Sequence, residues 1–182
     1  LAEFWPEENA TPVQSAFTAV AQLTNRVFTP VPDDPPEMIT VDPSGSIYVM
    51  TVAGQVVLRS TIEGGSGGPP TVADFDGDGK PEYGSASRTR FTVYDLDCRE
   101  GENFVAESCK PARQGNKDGV LWSTTMPYAS TGTSGSSVFD FDANGSAEVV
   151  YADQCFLRIL DGKTGEAMVS LLERRLDAVV HR

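Results

Sequence analysis

The stretch that decides the fold is Val72-Ala73-Asp74-Phe75-Asp76-Gly77-Asp78-Gly79-Lys80-Pro81-Glu82-Tyr83, and the chain carries a second version of it. That version is Val138-Phe139-Asp140-Phe141-Asp142-Ala143-Asn144-Gly145-Ser146-Ala147-Glu148-Val149; it begins at 138 where the first begins at 72, an offset of 66. Without a gap, the same offset places Phe91-Thr92-Val93-Tyr94-Asp95 over Leu157-Arg158-Ile159-Leu160-Asp161. Two segments that keep their register across an intervening turn indicate an internal repeat.

A third, weaker copy precedes these two. Residues 54–61 resemble 118–124, and residues 18–23 take the place of the strand before the acidic loop. Gln22 stands where Asp74 and Asp140 stand in the other copies. This copy therefore keeps the strand pattern but lacks the acidic spacing.

Each copy is predicted to form four short strands, because runs rich in Val, Tyr, Phe and Thr are bounded by Gly, Pro and Asp. The predicted strands lie near 17–23, 37–42, 46–51 and 55–60, near 70–75, 82–87, 90–96 and 119–125, and near 136–141, 147–152, 156–160 and 166–171. Four antiparallel strands per copy are typical of a propeller blade. A β-sandwich of the same twelve strands is the alternative, but it does not explain the equal spacing of the acidic loops.

We therefore predict an all-β chain of about three four-stranded antiparallel blades, forming part of a β-propeller. A short C-terminal helix is possible, because five apolar residues could share one helical face: Leu171, Leu172, Leu176, Val179 and Val180. The predicted division is an N-terminal extension at 1–16, a degenerate blade at 17–66, repeat blades at 67–133 and 134–170, and a tail at 171–182. Closed propellers have about 4–8 blades, so we expect further blades or neighbouring chains to cover the open edges.

The acidic loops carry the chemistry. In the first loop, oxygen donors fall at alternate positions, with a glycine at the sixth to permit a sharp turn, and Ca²⁺ prefers about 6–8 oxygen ligands. The predicted ligands are Asp74, Asp76, Asp78, the Lys80 carbonyl and Glu82. An EF-hand is excluded, because its twelfth position needs a glutamate where this loop has Ser85, and because β-rich sequence flanks the loop.

The second loop gives a second predicted Ca²⁺ site. Its ligands are Asp140, Asp142, Asn144, the Ser146 carbonyl and Glu148. One carboxylate has become an amide, so we expect weaker binding than in the first loop. The alternative for both loops is an ordinary hairpin turn in which Asp and Asn side chains accept bonds from the backbone.

These two stretches resemble FG-GAP repeats, also called VCBS-type repeats, which build the propeller heads of integrin alpha chains and of many bacterial secreted proteins. The resemblance covers about 17–170, most strongly 68–97 and 134–165. It implies a propeller whose blades hold Ca²⁺ between their first two strands, with the ligands named above. It also implies an extracellular, secreted or cell-surface location and an adhesive or ligand-binding role, with a protein or glycan as partner.

Composition narrows the possible partners. Lys and Arg number 14 against 26 Asp and Glu, which gives a formal charge of −12 and argues against nucleic acid. No window approaches the roughly 20 apolar residues of a membrane-spanning helix. Cys98 and Cys109 bracket a polar excursion and are predicted to form a disulfide, which implies an oxidising compartment. Cys155 is predicted to be a buried free thiol.

Signals for catalysis are weak. His181 is the only histidine and lies next to the C-terminal residue, which leaves no plausible catalytic triad or histidine-bound zinc. Trp122 is predicted to pack between blades, although an exposed Trp122 could instead stack on sugars. Other residues considered for glycan cleavage are Asp95, Asp97, Asp118, Asp153, Arg88, Arg90 and Lys117.

The predicted function is therefore a non-enzymatic, extracellular calcium-binding propeller segment in adhesion, ligand binding or assembly. Two alternatives remain open at this stage: the propeller of a secreted polysaccharide lyase or hydrolase, and a structural subunit of a multi-chain assembly.

Overall fold

The structure is a computed structural model that describes residues 17–23, 35–62, 64–96, 119–126 and 134–172. Twelve strands cover most of these residues. They are β1 Phe17–Ala21, β2 Glu37–Val41, β3 Ser46–Thr51, β4 Val56–Thr61, β5 Thr71–Ala73, β6 Glu82–Ala86, β7 Arg90–Tyr94, β8 Val120–Thr125, β9 Ser136–Phe139, β10 Glu148–Ala152, β11 Phe156–Leu160 and β12 Ala167–Leu172. Each predicted strand is present, and its ends lie within two residues of the predicted ones.

The strands form three four-stranded antiparallel sheets, which confirms the predicted all-β class and strand grouping. Sheet A contains β1 to β4, sheet B contains β5 to β8, and sheet C contains β9 to β12; in each, consecutive strands are neighbours. The last two strands of every sheet share an irregularity in register, at Val49/Met50, Val93/Tyr94 and Ile159/Leu160. The three sheets are thus copies of one meander.

Sheet B lies between the other two sheets. Two hydrophobic clusters, one on each of its faces, join it to sheet A and to sheet C. The A/B cluster contains Leu23, Ile39, Val41, Ile47, Val49, Leu58, Ile62, Tyr83 and Tyr94. The B/C cluster contains Phe75, Ala86, Phe91, Val93, Leu121, Trp122, Met126, Val149, Tyr151 and Leu160. The first strands of the sheets touch in chain order, β1 with β5 and β5 with β9.

Trp122 and Gly84 lie on the face of sheet B that packs against sheet C. Trp122 is fully buried and stacks on Phe91 with ring centroids 5.9 Å apart, as predicted for a residue between sheets. A Cβ atom added at Gly84 would lie 2.9 Å from the Phe91 ring, so only glycine leaves room for that ring on this face. Alternate residues of sheet B therefore serve two different cores.

Two sequence-based predictions are wrong in the described residues. Leu171 and Leu172 belong to strand β12 and not to a helix, because they pair in register with Leu157 and Phe156. The last strand of sheet C thus ends at Leu172.

Cys155 is free but only half-buried. It lies in the turn between β10 and β11, where the Asp153 carboxylate accepts a hydrogen bond from its backbone N–H, so it cannot enter the core.

Several predictions fall outside the described residues: the Cys98–Cys109 disulfide, the extension at 1–16 and the tail beyond Leu172. Among the residues that the structure does describe, there is no helix with the length and apolarity needed to span a bilayer.

Candidate metal centre

The first acidic loop, residues 74–82, connects β5 to β6. Because Ala73 pairs with Glu82 across these strands, Asp74 leaves β5 beside the residue that begins β6. Four carboxylates converge there: those of Asp74, Asp76, Asp78 and Glu82. One oxygen from each lies within 4.8 Å of the others, which is close enough for a single cation to contact all four.

Backbone hydrogen bonds hold this loop in its curled form. Asp74 accepts from Gly77 N–H at 2.6 Å through Oδ1 and from Gly79 N–H at 2.9 Å through Oδ2. Asp78 Oδ1 accepts from Lys80 N–H at 2.8 Å. Gly77 and Gly79 both have positive φ, at 80° and 88°, which glycine adopts without a steric penalty. The glycines allow the aspartates to face one another.

Glu82 forms the buried base of the cluster and is 2% exposed. Its Oε2 accepts from Phe75 N–H at 2.6 Å. Burial raises the pKa of Glu82 to about 9 despite that bond, and the neighbouring carboxylates of Asp76, Asp95 and Asp78 add to the rise. A cation placed among these groups would favour the ionised form.

The second acidic loop, residues 140–148, occupies the equivalent position between β9 and β10. One carboxylate oxygen from each of Asp140, Asp142 and Glu148 lies within 4.8 Å of the others. Asp140 accepts from Asn144 N–H at 3.1 Å and from Gly145 N–H at 2.9 Å, much as Asp74 does in the first loop. The Asn144 side chain accepts from Ser146 N–H at 2.8 Å.

Glu148 has an unsatisfied oxygen. The residue is 1% exposed; Oε2 accepts from Phe141 N–H at 2.8 Å, whereas Oε1 is buried without a hydrogen-bond partner in the described part of the chain. A buried carboxylate oxygen without a partner is costly, because it has lost its hydration. A cation coordinated by this oxygen would remove that cost.

The two loops are hydrogen-bonded to each other across sheets B and C. Ala147 N–H donates to the Asp74 carbonyl at 2.8 Å, and the Ser146 hydroxyl donates to the Phe75 carbonyl. Sequence reasoning assigned Ser146 only a carbonyl ligand role and missed this contact. The sequence indicates that the loops are neighbours only because both occupy the same position in adjacent repeats.

The Lys80 and Ser146 carbonyls and the Asn144 side chain remain predicted ligands. The Lys80 ammonium lies 3.6 Å from Asp78 Oδ2 in a partly exposed ion pair. Of the residues considered for glycan cleavage, Asp153 is held by Arg158 Nε at 3.0 Å, and Arg90 Nε donates to Ser123 Oγ at 2.7 Å. Both serve structural contacts.

Trp122 is the residue predicted either to pack between blades or to stack on a sugar. Trp122 is fully buried and its Nε1–H donates to the Gly162 carbonyl at 2.5 Å, so it presents no face to a sugar. Asp97, Lys117 and Asp118 lie outside the described residues.

Comparisons with known proteins add little. No protein-family model matches the chain, and no curated protein matches it. A solved structure, that of the V. cholerae biofilm matrix protein Bap1, is similar over 86% of this chain at 16% identity with a TM-score of 0.35. The chain spans 27% of that protein's length.

Proposed function

We propose that this chain is a calcium-binding segment of an extracellular β-propeller that acts in adhesion, ligand binding or assembly. The observation that carries the proposal is the pair of acidic clusters at equivalent positions in sheets B and C. Each cluster joins the first two strands of its sheet, so a bound ion would fix the start of each sheet.

The donor set favours calcium. Carboxylate, amide and carbonyl oxygens are hard ligands, and Ca²⁺ tolerates the irregular geometry of a loop. Neither cluster contains a cysteine or histidine, the residues that zinc and copper prefer.

A plain turn explains less of the structure. A buried glutamate alone does not mark a cation site, because Glu37 is equally buried in sheet A and accepts from Leu23 N–H without an acidic cluster beside it among the described residues. The two acidic loops differ from that position in the aspartates that converge on Glu82 and Glu148. The unpartnered Oε1 of Glu148 fits a cation ligand, because coordination would replace its lost hydration.

The layering of the sheets supports the propeller arrangement. Twelve strands in a β-sandwich would form two sheets, whereas the described residues form three, and the middle sheet is buried on both faces. The sheets touch through their first strands in chain order, as the blades of a propeller do around its axis.

Calcium would act here as a stabilising ion. Without a cation, the converging carboxylates repel one another. A cation that binds only the folded chain removes this repulsion and raises the stability of the fold. Extracellular modules bind Ca²⁺ with dissociation constants of about 10⁻⁴–10⁻³ M. The extracellular location and the protein or glycan partner are the ones that the FG-GAP resemblance implies.

Thermal melting with calcium and with a chelator tests the proposal. We expect calcium to raise the melting temperature of the wild-type chain, and Asp76→Ala to reduce that increase. Asp42→Ala is the matched control, because Asp42 Oδ1 also accepts two backbone N–H groups, from Ser44 and Ser46, outside any acidic cluster. It should lower stability without changing the response to calcium. If calcium leaves the melting temperature of the wild-type chain unchanged, the loops are plain turns.

A further inference from the structure

The far side of sheet C is an apolar face with no neighbour in the described residues. Val149, Tyr151 and Leu160 point toward sheet B in the B/C cluster, so alternate residues point away from it. The registers place six of these on one surface, named here the C face: Phe139, Val150, Leu157, Ile159, Val169 and Leu171. Phe139 is 64% exposed, Leu171 57% and Leu157 42%.

The equivalent face of sheet B indicates what kind of surface the C face can bind. The offset of 66 aligns Phe91 with Leu157 and Val93 with Ile159. Trp122 pairs with Val93 as Val169 pairs with Ile159. In sheet B these positions are fully buried under sheet C, so the same positions in sheet C form a surface built to receive another four-stranded sheet.

Sheet A offers the complementary surface. Ile39, Ile47 and Val49 point toward sheet B in the A/B cluster, so their strand neighbours point away. Five apolar residues among them are named here the A face: Val20, Met38, Tyr48, Met50 and Val56. Thr40 and Arg59 lie on the same side of the sheet, and the Arg59 guanidinium covers the Tyr48 ring at 5.2 Å from its centroid. Val20 is 60% exposed and Val56 43%. The A and C faces lie on opposite ends of the three-sheet stack.

We propose that a second copy of this chain docks its A face on the C face of the first, head to tail. The proposal rests on the blade arrangement proposed above. Contacts already run from β1 to β5 and from β5 to β9, and β1 of a second copy placed on β9 continues that row. Val20 on β1 and Phe139 on β9, each more than half exposed, would then meet.

A reciprocal contact would close the assembly. Two copies joined twice, A face to C face, make a ring of six sheets, which lies within the range of about 4–8 blades. Closure leaves neither apolar face in water and stops growth at two chains, whereas an open head-to-tail contact would form filaments.

Sedimentation velocity with saturating calcium tests the proposal, over about 1–100 µM chain. The wild-type chain should be a dimer. Leu157→Glu on the C face and Val20→Glu on the A face should each weaken association more than about tenfold, because each buries a charge at an apolar contact. Ser44→Glu is the control, because Ser44 is exposed in the β2–β3 turn and belongs to neither face. It should leave the dimer intact.

A mixing experiment tests the head-to-tail geometry. An equimolar mixture of the Leu157→Glu and Val20→Glu chains keeps one intact A-to-C contact, so a two-chain species should reappear. If Val20→Glu alone dimerises like the wild type, two C faces meet and the proposal is wrong. If Leu157→Glu does not fold by circular dichroism, Leu171→Lys on the edge strand takes its place.

The dimer proposal and the calcium proposal can be contradicted independently of each other. A wild-type chain that binds calcium but stays monomeric at about 100 µM would overturn the dimer and leave the metal sites standing. A dimer that forms without measurable calcium binding would support the docking surface and contradict the metal sites.

Discussion

The two acidic loops share one backbone design but differ in charge. In the first loop Asp78 Oδ1 accepts from the N–H two residues on at 2.8 Å, and in the second loop Asn144 Oδ1 does the same at 2.8 Å. The exchange of a carboxylate for an amide therefore leaves this part of the turn intact. The fourth negative charge of the first loop is thus not needed for this part of its shape, and we propose that it raises the affinity of the loop for a cation.

The loops also differ in their buried glutamates and in one backbone position. Burial raises the pKa of Glu82, whereas Glu148 retains an oxygen without a partner in the described residues. Gly77, with φ of 80°, is replaced in the second loop by Ala143, with φ of 57°. A left-handed conformation is strained for alanine, so the second loop holds its form at a cost.

The largest expected effect is a pH dependence that belongs to the first loop. The pKa of Glu82 is raised from 4.5 to about 9 in the folded chain. Between these values the folded state holds a proton that the unfolded state has released, so stability falls as pH rises. We expect the calcium-free chain to lose several kcal/mol of stability from pH 5 to pH 9, measured by urea unfolding.

Glu82→Gln is the control for that pH dependence, because glutamine keeps an acceptor for Phe75 N–H but cannot ionise. It should flatten the pH dependence of the calcium-free chain. Saturating calcium should also flatten it in the wild type, since the ion favours the ionised carboxylate. A wild-type slope that persists in Glu82→Gln would assign the effect to another group.

The next largest effect is expected when the charges of the two loops are exchanged, which tests the difference in their calcium affinity. Asp78→Asn gives the first loop the donor set of the second, and Asn144→Asp does the reverse. Each should change the calcium affinity of its own loop about tenfold, or ~1.4 kcal/mol, downward for Asp78→Asn and upward for Asn144→Asp. Calorimetric titration measures both. Equal affinities in all chains would show that the fourth charge has no part in binding.

A smaller effect on stability is expected at the loop positions with positive φ. Ala143→Gly should raise the free energy of unfolding by about 1 kcal/mol, because glycine relieves the positive φ. Gly77→Ala should lower it, since a Cβ there would also lie 3.3 Å from the Gly145 carbonyl oxygen. Chemical denaturation of both variants gives the comparison. Two changes of the same sign would contradict this account.

The smallest effect concerns the bond that joins the loops. Ser146→Ala removes the hydroxyl that donates to the Phe75 carbonyl but keeps the backbone carbonyl predicted as a ligand. Stability should fall by about 0.5–1.5 kcal/mol with little change in calcium affinity. Ser44→Ala, in an exposed turn, is a suitable control. A large loss of calcium affinity would mean that the hydroxyl shapes the site directly.

Much of the fold follows from local pattern. The strand positions were predictable because alternating β-branched and aromatic residues are bounded by turn residues, and the loops because their acids recur at one offset. The burial of Trp122 followed from the same repeat.

What could not be predicted depends on contacts between sheets. The Ser146 bond to Phe75 exists only once sheets B and C are packed together. Leu171 and Leu172 fit a helical spacing equally well, and only pairing with β11 makes them a strand. Cys155 looked buried because its neighbours are apolar, whereas the turn set by Asp153 keeps it out of the core.

The number of calcium ions bound per chain tests the central claim most directly. Calorimetric titration of chelator-treated protein should give two ions for the wild-type chain and one each for Asp76→Ala and Asp142→Ala, with the tighter site lost in Asp76→Ala. Binding of no calcium by the folded wild-type chain at millimolar concentration would contradict the account.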